Sequence, residues 1–76
     1  MTEMKTKLDL LIELYNEQLN QLVRTEVDLE LFDYLKIAEP TNDHTKEYEG
    51  TKLTNKRKQK IVEIVGKKIQ ELQKAN

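Results

Sequence analysis

The sequence predicts an all-α protein: an antiparallel helical hairpin with a short middle helix and a polar loop, dimerising into a four-helix bundle. Three observations predict it. Two stretches free of proline carry apolar residues at helical spacing, a polar Pro- and Gly-bearing segment separates them, and the chain is too short to bury a large core alone. At 76 residues it holds one small domain, 1–76. Domains this small rely on disulfides, metals, dense packing or a partner chain. With no Cys among the residues, self-association becomes the expected remedy.

The first helix is expected over about residues 3–24, where Leu, Glu, Gln and Lys dominate. Stepping about 100° per residue places Met4, Leu8, Leu11, Ile12, Tyr15, Leu19, Leu22 and Val23 in one arc of about 120°. Within it Leu8, Ile12, Tyr15, Leu19 and Leu22 alternate steps of four and three, the spacing of a helix–helix seam. Leu10 and Leu14 fall off that arc, on the far flank, and together suggest a second contact surface.

The phase then changes. Glu26 lands inside the apolar arc, which one straight amphipathic helix would not choose. Thr25 with Asp28 three residues on has capping-box spacing. A break near 24–26 and a second helix over about 26–38 are therefore expected, with Val27, Leu31, Tyr34 and Ala38 as its stripe. A strand competes, because Val27, Leu29 and Leu31 alternate with acids, but Asp33 spoils the alternation.

Pro40 pushes the residue before it out of the helical region and ends this element. Residues 39–53 carry Pro, Gly, Asn and Asp and read as a loop, with Tyr48 as its apolar anchor. The last helix is expected over about 54–73, capped by Thr54. Ile61, Val62, Ile64, Val65, Ile69 and Leu72 form its stripe, and Gly66 either admits a neighbouring backbone or weakens the helix. The self-association core is accordingly assigned to Leu8, Ile12, Tyr15, Leu19 and Leu22 with Ile61, Val65, Ile69 and Leu72.

Charge is segregated along the chain although the net is only −1. Residues 1–50 hold 5 basic and 12 acidic residues, whereas 51–76 hold 8 basic and 2 acidic. Lys56, Lys60, Lys67 and Lys74 lie within about 40° of one another, opposite the apolar stripe. Arg57 and Lys68 flank that stripe and Lys58 points nearly into it. Three roles compete for this basic face: simple solvation, complementarity to an acidic surface, and contact with phosphate. The nearly neutral chain and the lack of any helix-turn-helix, zinc-finger or RNP-like pattern argue against a dedicated nucleic-acid binder.

Catalytic chemistry finds few candidates. The sequence has neither Cys nor Ser, so a thiol or serine nucleophile is excluded. His44 is the only histidine and sits in the polar loop. Asp43, His44, Glu47 and Glu49 lack the spacing of a metal motif, and Gly50-Thr51-Lys52 lacks the rest of a phosphate loop. No catalytic, cofactor-binding or metal-binding residue is assigned, and no cofactor is expected.

The function expected is that of a small non-enzymatic interaction or regulatory protein: an adaptor, inhibitor or accessory subunit. It would act as a homodimer and meet another protein through Glu30, Phe32, Asp33 and Tyr34 in the acidic middle segment. The alternative is a nucleic-acid-binding accessory protein using Lys56, Arg57, Lys60 and Lys67. With no signal-like apolar core at the start and no long uncharged run, a cytoplasmic location without membrane contact is expected. The abundance of Lys, Asn and Glu suggests a bacterial or phage origin.

Overall fold

The structure is a computed structural model and describes residues 4–74. Two long helices account for most of it: α1, Lys7–Ala38, and α2, Thr45–Lys74. A six-residue turn reverses the chain, and the pair forms an extended antiparallel hairpin of 56 × 29 × 15 Å. The all-α hairpin is thus present, and no strand occurs among the described residues.

Local signals fix the ends of the helices. Thr6 caps α1, its hydroxyl accepting from the Asp9 amide at 3.1 Å while the Asp9 carboxylate accepts from the Thr6 amide at 3.3 Å. This reciprocal pair satisfies two of the donors that a helix start leaves open. Lys5 reaches forward past this first turn to pair with Glu13, and that contact holds the Lys5 pKa above its ordinary value. At the far end the Glu39 amide donates to the Leu35 carbonyl at 2.8 Å, and Pro40 follows. α2 begins after Asp43, whose carboxylate accepts from both the amide and the hydroxyl of Thr45, at 3.0 and 2.5 Å. These two bonds hold the Asp43 carboxyl below its ordinary pKa of 3.8.

Two expected boundaries are corrected. The helix does not break at 24–26 but runs unbroken from Lys7 to Ala38, so there is no separate middle helix. Thr25 does not cap a new helix. It is buried mid-helix, and its hydroxyl donates to the Leu22 carbonyl at 2.6 Å. Likewise α2 starts at Thr45, well before Thr54, so most of the expected 39–53 loop is helical and Thr54 lies inside the helix.

Both corrections have one cause, the period of the pattern. The half-buried or buried positions of α1 are Leu8, Leu11, Tyr15, Gln18, Leu22, Thr25, Leu29 and Phe32, together with Gln21 and Leu35 at the flank. The first eight alternate steps of three and four without interruption, the 3.5-residue repeat of a coiled coil. On α2 the same alternation runs through Tyr48, Thr51, Asn55, Lys58, Val62, Val65, Ile69 and Leu72. A straight 3.6-residue projection drifts by about 20° per heptad against such a repeat, so a continuous seam looks like a phase break. The polar members of the seam completed the disguise.

That polar content is the fold's main peculiarity. Val65, 5% exposed, is the only buried hydrophobic residue among the described residues. Further along the seam lie Thr25 and Asn55, both buried. The Asn55 amide donates to the Thr25 hydroxyl at 2.8 Å, and Gln59 donates to the Asn55 side-chain carbonyl at 2.6 Å. One turn away the Lys58 ammonium donates to Gln18 at 2.8 Å. Each polar group therefore has a partner, which removes most of the penalty for taking it out of water. Gly66 meets Tyr15 across the seam, but a methyl there would sit 3.5 Å from the ring, an ordinary contact. Close backbone approach does not require this glycine.

Candidate interaction surfaces

The residues assigned to self-association divide into two groups. Leu8, Tyr15, Leu22, Val65, Ile69 and Leu72 are consumed in the seam between α1 and α2 of the same chain. Ile12 and Leu19 remain exposed on one flank, and Ile61 is half-buried at the edge of the seam. What two copies were expected to share is thus partly used within one.

The hairpin still leaves a large apolar surface. On α1 Leu10, Ile12, Leu14, Leu19, Val23, Val27, Leu31, Tyr34 and Ile37 are all exposed, as are Leu53 and Ile64 on α2. The accessible area is 6462 Å². A compact monomer of this mass exposes about 4,900 Å², so the hairpin presents roughly 1,600 Å² in excess.

The residues assigned to a protein partner do not form one surface. Phe32 points into the seam, where its ring meets Tyr48 edge-on at 5.8 Å and His44 at 6.2 Å. Glu30, Asp33 and Tyr34 face solvent, Tyr34 with 63% of its surface open. The aromatic cluster closes the turn end of the hairpin. Lys36 and Lys52 stand 5.5 and 6.0 Å from the centre of the Tyr48 ring, a cation–π arrangement. A shallow cavity of about 380 Å³ opens there between Phe32, His44, Tyr48 and the two lysines. The buried His44 Nε2 has no hydrogen-bond partner, while its Nδ1 lies 3.6 Å from Glu47.

On the basic helix Lys56, Arg57, Lys60 and Lys67 are all exposed. Lys60 and Lys67 bracket Glu63 at 3.7 and 3.5 Å, so part of their charge is already answered within the helix. Every ion pair found among the described residues lies within one helix or its flank, and none joins α1 to α2. Yet the helices differ sharply. α1 carries 3 basic and 7 acidic residues, a net of −4, and α2 carries 9 and 4, a net of +5. The hairpin is a two-sided sheet of charge, one wall acidic and one basic.

Sequence reasoning brought Lys58 close to the seam but missed its polar partners Gln18, Thr25, Thr51 and Asn55. The signal was present in the 3.5-residue repeat, which holds through those positions if polar residues are admitted to it. No group of acidic or histidine side chains that could hold a metal occurs among the described residues, and no helix is long and apolar enough to cross a membrane. Comparison with known protein families, with curated proteins and with solved structures finds no match.

Proposed function

We propose that this chain is a small non-enzymatic interaction protein, an adaptor, inhibitor or accessory subunit, that works through helical surfaces and self-associates as a homodimeric four-helix bundle. One observation carries the reading. The hairpin exposes roughly 1,600 Å² more than a compact monomer of its mass, about twice what one partner contributes to a standard protein–protein interface. Much of that excess is apolar side chains on both flanks of α1. A two-helix layer has no third element to cover these flanks, and a second layer does so with the crossing angle of about 20° usual for bundles. The acidic outer edge around Glu30, Asp33 and Tyr34 then stays available to a protein partner.

Light scattering behind a sizing column tests the association. A mass twice the 9.0 kDa chain, held over a hundredfold concentration range, is the expected result. A 9.0 kDa species throughout overturns it. The partner edge is tested with Glu30→Lys and Asp33→Lys, which should abolish binding to whatever protein the wild-type chain retains.

Exposure of Lys56 and Arg57, which form no ion pair among the described residues, favours one second reading, weak contact with nucleic-acid phosphate. It predicts a gel shift at low ionic strength that falls steeply with salt. A missing shift at low salt removes it.

A further inference from the structure

We propose that the second copy stacks on one particular side of the hairpin, with its turn at the same end, so that α1 of each copy lies on α2 of the other. This rests on the self-association proposed above and specifies its symmetry.

The two sides of the hairpin are not alike. One is marked by two grooves: Lys7 with Lys68 and Glu71 near the open end, and Asp28 with Glu47 and Thr54 near the turn. Leu14 stands seven residues from Lys7 and Ile61 seven from both Thr54 and Lys68, so a 3.5-residue repeat places them on that same side. Ile64 is seven residues from Glu71 and Leu10 is one helical turn from Leu14, which brings them to its outer edge. Both helices therefore supply apolar groups here. The opposite side, where Gly66 and Gln59 flank the seam, takes Ile12 and Leu19 from α1 but only Lys52, Gln59, Gly66 and Gln73 from α2 at the matching heptad position.

The heights match as well. Tyr15 lies against Gly66 and Gln18 is bonded to Lys58, so Leu14 and the pair Ile61 and Ile64 sit at similar levels along the hairpin. A twofold axis parallel to the helices keeps those levels. It sets Leu14 of one copy beside Ile61 and Ile64 of the other, twice over.

Charge selects the same axis. A twofold axis across the helices would lay α1 on α1, −4 against −4, and α2 on α2, +5 against +5. Neither helix has a stretch of opposite sign long enough to relieve this by sliding. The parallel axis instead lays the acidic helix on the basic one at both contacts, and like-charge juxtaposition is what separates right from wrong docking.

The chain has no cysteine, so a single introduced thiol can be labelled cleanly. Thr41→Cys puts a spin label in the exposed turn and Gln70→Cys puts one near the other end. In the arrangement proposed, pulsed dipolar spectroscopy on the full chain gives distances below about 30 Å at both sites, since packed helices lie about 10 Å apart. A dimeric mass with distances approaching the 56 Å length of the hairpin overturns the same-end symmetry and leaves self-association standing. A 9.0 kDa mass with no dipolar coupling overturns both. The side is read from half-exposed positions that leave the seam intact. Leu14→Lys with Ile64→Lys should give monomer with unchanged helical circular dichroism, and Ile12→Lys with Leu19→Lys, on the opposite side, should stay dimeric. The reverse pattern places the contact on the wrong side.

Discussion

Gly50 shows how little of α2's turn-end half is set by intrinsic preference. It sits inside the helix, and a methyl group there would touch nothing within 4 Å. Gly50→Ala should therefore stabilise the hairpin by about 0.5–1 kcal/mol, read as a higher denaturant midpoint at unchanged slope. Asp43 acts at the same scale. Its carboxylate is held below 3.8 chiefly by the Thr45 hydroxyl and then by the Thr45 amide. A carboxyl depressed in the folded state stabilises it above the unfolded value, and that contribution is lost as pH falls through the folded value. An NMR titration should place the Asp43 midpoint below 3.8, and Thr45→Ala should move it back up. The first turn of α2 should fray as the carboxyl protonates, while Thr6 and Asp9 keep their reciprocal hydrogen bonds at neutral pH.

At the scale of the elements, the decisive feature is the polar layer between α1 and α2. Thr25, Asn55 and Gln59 form a chain of hydrogen bonds that only one alignment of the helices allows. Polar residues at such seam positions fix register at some cost in stability. Asn55→Ala should cost about 1–2 kcal/mol, because it empties a buried position and leaves Gln59 without its acceptor. Replacing the pair, Thr25→Val with Asn55→Leu, should be neutral or stabilising in thermal unfolding. Native mass spectrometry should then find a mixture of assemblies where the wild-type chain gives one. The same layer explains why the elements were only partly legible. Helical type and the stop at Pro40 are local and were readable, whereas the capping box was assigned to Thr25 and Asp28 and stands instead at Thr6 and Asp9. The continuity of α1 through Glu26 was not readable. Glu26 is out of phase only when Gln18 and Thr25 are excluded from the seam, and their right to be there comes from partners 40 and 30 residues away. Thr51, Asn55 and Lys58 concealed the start of α2 in the same way.

For the whole molecule, a hairpin whose surface is in such excess should not unfold as an isolated chain. Its thermal midpoint should rise with protein concentration, because association stabilises the folded state by mass action. Acidic and basic walls set against each other should also make the dimer weaken as salt is raised from low ionic strength, since exposed charges are screened beyond about 10 Å at 0.1 M. A midpoint independent of concentration would show that the apolar flanks carry no self-association. Of the surface assigned to a partner, Glu30 and Asp33 stayed outside as their polarity suggested, and Tyr34 is exposed with Val27, Leu31 and Ala38, so the stripe expected of these four is not buried. Phe32 is drawn into the seam instead, because the rings of Tyr48 and His44 give it a better environment than water.

Composition and local pattern settle that the chain is helical, that its first half stops at Pro40, that its charge is divided between its halves and that it has neither Cys nor Ser. Each of these is a property of composition or of neighbours within a few residues. Packing across the turn settled which apolar residues close the hairpin and which remain open, and it put five polar residues, Gln18, Thr25, Thr51, Asn55 and Lys58, in the seam. Burial of Asn55 or Thr25 is tolerable only because each finds the other across the turn, and no local pattern can record a partner that folding alone supplies.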